Sequence, residues 1–349
     1  MTPTIPAAEE ERIERVYRRR IFAWAMYDWG DHGFLTTTIV TFFPPYFIAI
    51  AATAFDKETA ANVFSLVLSL TLFLSAIVAP IIGTYADITG RRKRVLIAIT
   101  GLGSLFASLM VVLTSGMWVL GLILYAGTQI ALNVALGMNS SLLPHVSRSD
   151  DLNRASSLGY ALGYVGGGLL LAANTALFLF KDKLGLASDT AVQIAFFTTG
   201  IWWAVFTLPL ALNVPEPPAT PLTHSTGKML ADSITRLRHT IRDIQRYREL
   251  FNMLIAFWLY SEGISAIILL ATTFGASLGL DTSALITTIL MAQFVALPYV
   301  LIYGRIPNPS SKWRAAYVSM LLWTAITLPI LGVYVHRQGD VGVATTFEL

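Results

Sequence analysis

An all-α membrane protein, a bundle of nine spans, is the fold class predicted, and three observations predict it. Hydrophobic residues fill 55% of the 349 positions and charged residues only 13%, about half the charged share of a soluble domain. Mean hydropathy is accordingly +0.63. Nine apolar runs are long enough to cross a hydrocarbon layer about 30 Å thick. Lys and Arg alternate between successive connections, the pattern that orients spans. A cytosolic enzyme, a secreted disulfide scaffold and a disordered chain are all excluded by this composition. With no Cys, thiol redox chemistry and Cys-ligated metals are excluded too, and neither a metal nor a cofactor is expected. The pI of about 9.1 reads as topology and not as a nucleic-acid partner.

The spans run near Ile21 to Ala51, Asn62 to Ala86, Val95 to Thr114, Trp118 to Leu143, Ala155 to Phe180, Val192 to Asn213, Leu250 to Ala276, Ser283 to Gly304 and Ala315 to Val335. The first is too long for the apolar core of a cleavable signal, and it holds two Asp and one His, so it reads as a retained span. Lys57, Lys181, Lys183 and Arg337 fall on one side of the membrane, and the other 20 of the 24 Lys and Arg fall on the opposite side. An error of one span would scramble that division. Because basic connections stay inside, the amino terminus is expected in the cytoplasm and the carboxyl end outside.

Val214–Glu249 is the longest connection, opening with Pro215, Pro217, Pro218 and Pro221 and continuing as a basic stretch of helical spacing. It divides a six-span half, residues 1–213, from a partial half of three spans, residues 250–349. The basic stretch is expected to be a solvated linker, with contact to anionic lipid headgroups as the alternative. A weak internal repeat supports the division. Phe22–Gly30 and Ile255–Gly263 align without gaps at Ala23/Ala256, Tyr27/Tyr260 and Gly30/Gly263, and each run sets an acid near its Tyr, Asp28 or Glu262.

A charged side chain at mid-bilayer costs at least about 2.5–3.5 kcal/mol, so each must face protein or a water-filled cavity. Of the 21 acids only Asp28, Asp31 and Glu262 lie well within spans. Asp28, Asp31 and His32, spaced i, i+3 and i+4, share one helix face. Two carboxylates this close resist simultaneous ionisation, which suits a proton-coupling site; bundle-holding hydrogen bonds are the plainer alternative. Gln129, Asn133 and Asn139 in the fourth span and Gln293 in the eighth are the other mid-span polar residues, and Gln129 and Asn133 stand one turn apart on one face. Gly159, Gly163 and Gly167 form a tandem GxxxG stripe that permits close backbone approach.

The run Gly83-Thr84-Tyr85-Ala86-Asp87-Ile88-Thr89-Gly90-Arg91-Arg92-Lys93-Arg94 bridges the second and third spans. An Asp at a helix end beside a tight Gly turn and an Arg cluster can latch one conformation of a carrier. The run resembles the signature loop of the major facilitator superfamily, Gly-x-x-x-Asp-x-x-Gly-Arg-Arg. Trp24 to Gly30, Phe43-Pro44-Pro45-Tyr46-Phe47, Ser156 to Tyr164, Val214-Pro215-Glu216 and Tyr260 to Gly263 narrow this to a resemblance to the vacuole-effluxer-like branch, which includes autophagy-associated amino-acid exporters of fungal vacuoles and bacterial homologues. The resemblance covers almost the whole chain. It implies a major facilitator type helical bundle and a secondary carrier whose spans one, four, seven and ten line a central cavity.

The chain departs from that branch in several places. Gly30-Asp31-His32-Gly33 replaces a small residue, Asn, Ser and a small residue; Glu262 stands where Asp is usual; and Gly304-Arg305-Ile306-Pro307-Asn308-Pro309 lacks the Asp of the second gate copy. The branch has twelve spans, and Leu349 falls about where the tenth would begin, so the chain is expected to be truncated after the ninth. An intramembrane hydrolase is the rival class: Gly275-Ala276-Ser277-Leu278-Gly279 matches GxSxG, with His336 near the same face, but the strand-turn-helix context is missing. HExxH and GxxxxGK[ST] are absent. A non-transporting membrane scaffold is the other alternative.

The expectation is a monomeric secondary carrier that moves a small polar solute, an amino acid above all, with H+ as the candidate coupling ion and membrane lipids as its surroundings. Its location would be the plasma membrane of a bacterium or the vacuolar membrane of a fungus. Tyr27, Asp28, Asp31, His32, Gln129, Asn133, Tyr260, Glu262 and Gln293 are the candidate solute- and proton-handling residues, and Gly83, Asp87, Gly90, Arg91 and Arg92 the candidate gate.

Overall fold

The computed structural model describes residues 6–51, 53–218, 242–277 and 282–304, with isolated positions between 235 and 325. Most of the expected ninth span, Ala315 to Val335, and most of the basic linker lie outside the described residues. All the regular structure described is helical: α1 (Ala7–Phe34), a π-helical segment (Leu35–Phe42), α2 (Phe43–Ala51), α3 (Lys57–Thr89), α4 (Arg92–Leu109), α5 (Trp118–Val146), α6 (Leu152–Leu179), α7 (Ser188–Asn213), α8 (Arg248–Ser277) and α9 (Thr282–Gly304). Seven helical stretches among the described residues are long and apolar enough to cross a membrane, and Ala284–Tyr299 is a shorter apolar helix. The chain is an all-α, multi-pass membrane protein. One compact unit ends at Pro298, within α9, and a second begins at Tyr299.

The first span departs from its expected start. Ala8–Ala51 is one continuous stretch of 44 helical residues, about 66 Å at 1.5 Å per residue, more than twice the hydrocarbon thickness. The end of α1 bearing Arg12 to Arg20 therefore extends beyond the hydrocarbon layer. The π-helical widening has a local cause. Pro44 and Pro45 lack amide hydrogens, and their rings crowd the carbonyls one turn back, so the preceding turn opens. The Phe43 amide accordingly donates to Thr38 O, and Thr41 Oγ1 reaches Thr36 O at 2.6 Å, both five residues back.

Helix ends follow side-chain chemistry. Asp56 caps α3 by accepting from the Thr59 amide at 2.8 Å, and that hydrogen bond above all holds its carboxyl below the ordinary aspartate range. Gly90 ends α3 with φ 61°; its amide donates to Asp87 O and the Arg91 amide to Ala86 O, closing a Schellman motif that only glycine enters without strain. At the opposite end, Gly116, φ 87°, donates to Ile50 O at 2.8 Å and ties the α4–α5 turn to the end of α2.

Among the described elements α1 is the hub, packed against α6, α7 and α5, while α4 packs between α5 and α7 and α3 lies outside against α5. Stacked rings fill the interior: Phe43 on Tyr125 at 4.5 Å and Phe34 on Trp203 at 4.8 Å. Lipid tails supply no hydrophobic drive between helices, so such close contacts, together with small residues, hold the bundle. The outer face of α3 is correspondingly apolar and bare, with Leu66, Leu70, Phe73 and Leu74 exposed.

Candidate functional site

The polar face of α1 is buried against α6. Asp28 and Asp31 are 8% and 1% exposed, which water would not allow two acids without partners. Asn139 of α5 donates from Nδ2 to Asp28 Oδ1 at 2.8 Å, and His32 Nδ1 donates to Asp31 Oδ1 at 2.8 Å. Asp31 Oδ2 and Asn139 Oδ1 are buried without hydrogen-bond partners among the described residues, the first open to a proton or a donor group and the second to a donor group. Tyr160 and Tyr164 of α6 flank the His32 ring edge-on at 6.0 and 5.9 Å.

The glycine stripe makes this possible. A Cβ at Gly159 would strike Asp28 Oδ2, one at Gly163 would stand 2.7 Å from the His32 ring, and one at Gly166 would stand 2.6 Å from the backbone oxygen of Trp29. The expected close approach is therefore made by α1, and the space left by missing side chains on α6 is occupied by the acids, imidazole and indole of α1. Trp24 strengthens the junction by donating from Nε1 to Asn139 O at 3.0 Å.

The other candidate residues are more dispersed. Tyr27, fully buried, shares a 3.0 Å hydrogen bond with Thr100 of α4. Asn133 donates to Ser75 of α3 at 3.3 Å and to Gln129 O at 3.0 Å, and the buried Gln129 keeps Oε1 without a partner among the described residues. Gln293 is buried against α6, its Cβ 3.6 Å from where a Gly168 Cβ would stand, and its Oε1 is also without a partner among the described residues. Tyr260 is half-buried on α8, and Glu262 is exposed, with no hydrogen bond or ion pair among the described residues. The structure thus brings Asp28, Asp31 and His32 together and leaves Glu262 apart.

At the basic end the gate residues converge. Arg92 Nε donates to Asp87 Oδ1 across the Gly90 turn, and Arg92 Nη1 donates to His145 Nε2 of α5 at 2.5 Å. Arg91 is exposed and forms no ion pair among the described residues; Gly83 lies beside Met138 of α5. Glu216, just after α7, accepts from the Lys93 amide at 2.7 Å, a carboxylate on the open N-terminal turn of α4. Beside this, Arg148 bonds Glu14 at 3.1 Å and lies 4.1 Å over the Tyr17 ring, and Tyr17 donates to Asp151 at 2.8 Å. These ties pin the start of α1 to the α5–α6 turn.

Asn139, Tyr160, Tyr164, His145, Glu216 and the Arg148 cluster are participants that the candidate list omits. In sequence Asn139 is one of the mid-span amides, and Arg148 is one of the basic residues that orient the spans. Of the hydrolase pattern, Ser277 ends α8, while Leu278, Gly279 and His336 lie outside the described residues.

The bundle and its buried polar face define the class: a multi-pass membrane protein whose chemistry lies in its interior. The vacuole effluxer Atg22-like family matches residues 53–349, and the chain belongs to that family. It is a transporter, not an enzyme, and a small-molecule solute is its partner. It is similar to YxiO of Bacillus subtilis strain 168, described as an uncharacterized MFS-type transporter, at 25% identity over 307 residues, 87% of this chain and 71% of that protein. It is also similar to autophagy-related protein 22-2 of Aspergillus clavatus, at 25% over 221 residues, and to autophagy-related protein 22-1 of Penicillium rubens, at 27% over 121. These matches take 56% and 33% of this chain, and only 34% and 20% of the two fungal proteins. The gate lies within the family match, whereas Asp28, Asp31 and His32 precede it.

Proposed function

We propose that the chain is a secondary carrier that moves a small polar solute, an amino acid above all, by alternating access of an N-terminal half, residues 1–213, against the segment beginning at 250, with 214–249 as the cytoplasmic linker between them. The observation that carries this reading is the burial of Asp28 and Asp31, with the half-buried His32 bonded to Asp31, on one face of the first span in a transporter family. Groups so costly in a membrane are retained where they are used. Asp28 and Asp31 would exchange a proton or hold the solute's ammonium group, with His32 fixing Asp31 and Asn139 fixing Asp28. Gln129, Asn133 and Gln293 would orient the solute, Tyr27 would set the position of α1 through Thr100, and Tyr260 and Glu262 would serve the corresponding face of α8. Asp87 with Arg92 would hold the gate, at the cytoplasmic face if the basic end lies inside. The carrier is proposed to act as a monomer in a plasma or vacuolar membrane.

Counterflow of a panel of amino acids in proteoliposomes, at two pH values across the membrane, tests this. At least one amino acid should accumulate, and Asp28→Asn should abolish its accumulation or its pH dependence. Absence of flux for the whole panel by a folded protein would overturn the amino-acid reading.

A further inference from the structure

We infer that His145 is a proton-operated release for the gate at the basic end of the bundle, a regulation that rests on the gating role proposed for Asp87 and Arg92. Arg92 holds two partners at once, donating from Nε to Asp87 of α3 and from Nη1 to His145 Nε2 of α5. A guanidinium has five donors, no acceptor and no accessible deprotonation, so its contact with a ring nitrogen requires a lone pair there. The His145 ring in this arrangement is therefore neutral, with its hydrogen on Nδ1.

The charged groups around the ring come from several elements. Asp87 from α3 is taken by Arg92, and Arg92 from α4 is itself a cation. On its own end of α5, His145 is followed by Arg148, paired with Glu14 of α1, and by Asp150 and Asp151, the latter bonded by Tyr17. No carboxylate forms an ion pair with His145 among the described residues. A proton on Nε2 would remove the lone pair that accepts from Arg92 and set two cations against each other.

Arg92 to His145 is the one side-chain hydrogen bond between α5 and the α3–α4 turn among the described residues. His145 lies at the exposed last turn of α5, where solvent protons reach it. Histidine changes charge between about pH 8 and pH 5. Above that range the turn is tied to α5; below it the tie is gone, while the local Asp87–Arg92 pair persists. Proton concentration at this face thereby sets the freedom of the gate.

The chain has no native Cys, so Thr89→Cys, at the end of α3, and Ser149→Cys, just after α5, can carry a spin-label pair with no other thiol to remove. Double electron–electron resonance in lipid nanodiscs, at about pH 8 and about pH 5, reads their separation. In the parent the distance distribution should lengthen and broaden at the lower pH. His145→Gln keeps an acceptor that cannot take a charge in this range and should hold the higher-pH distribution at both; His145→Arg, charged at both, should hold the lower-pH distribution at both. An unchanged parent, a pH response that survives in His145→Gln, or an unreleased His145→Arg would each overturn the inference. The distances need no solute, so failed counterflow with an intact distance response counts against the carrier reading alone, and the converse counts against the release alone.

Discussion

Phe22–Gly30 and Ile255–Gly263 share Ala, Tyr and Gly at matching places, yet they occupy opposite environments. In the first copy Ala23, Trp24, Ala25 and Tyr27 are buried and Asp28 is hydrogen-bonded to α5; in the second Phe257, Trp258 and Leu259 are all more than 60% exposed and Glu262 is bare. The glycines make the same point. A Cβ at Gly30 would stand 3.1 Å from Phe206 and 3.3 Å from the Trp203 carbonyl, whereas one at Gly263 would meet nothing within 4 Å among the described residues. A helix carrying an acid near a tyrosine is thus half of a site. The other half is a neighbour with room for the acid, and α6 supplies it for α1 by omitting side chains at Gly159, Gly163 and Gly166.

The largest effect should come from filling that room. Gly159→Val drives a branched side chain into Asp28 and Trp24, and Gly163→Val drives one into the His32 ring, so each should destabilise the bundle by about 1–3 kcal/mol or more, as overpacking does. The first should also expel Asp28 from Asn139. Thermal melts in nanodiscs read the stability, and counterflow reads the loss of transport. A variant that melts with the parent and transports normally would mean that α1 does not depend on the α6 stripe.

Next comes Asn139→Ala, which strips the donor from Asp28 Oδ1 without crowding α6. Leaving a buried acceptor unsatisfied costs about 1–3 kcal/mol, more when it is charged. Asn174→Ala is the matched control, since this buried amide of α6 serves Leu170 O and Thr198 and forms no hydrogen bond with Asp28 among the described residues. Transport should fall at least tenfold in the first and change severalfold less in the second. Equal losses would mean that any buried amide of the bundle matters as much, and that the α1–α5 bond has no special place.

How much of this was legible in sequence differs by the range of the contact. The helical class, the first eight runs as helices and the Asp87–Arg92 pair were legible because composition, run length and a five-residue separation are local quantities. His145 stands 53 residues from Arg92 and Asn139 stands 111 from Asp28, and no spacing rule reaches that far. Helical spacing singled out Gln129 with Asn133 as a shared face; the rotation of α5 about its axis, set by packing against α1, α3 and α4, turns Asn139 instead toward the acid. The π-helical segment announced itself only as Pro44-Pro45, which marks a disturbed turn without saying whether the helix kinks or widens. The glycine stripe told of close approach, but not of which helix would approach.

The smallest effects should fall in the second copy, and their sign sharpens the comparison most. Gly30→Ala must move Phe206 or the Trp203 backbone by a few tenths of an ångström, so it should lower the melting temperature. Gly263→Ala meets open space within a helix, where alanine is favoured over glycine by about 0.5–1 kcal/mol, so it should leave stability unchanged or raise it. Glu262→Gln, at an exposed carboxylate with no partner among the described residues, should shift stability by no more than about 0.5 kcal/mol. Paired melts of the four proteins, parent included, read all three. If Gly263→Ala were as damaging as Gly30→Ala, α8 would have to be packed as tightly as α1 in the membrane, and a marked loss in Glu262→Gln would then identify this acid as the counterpart of Asp28.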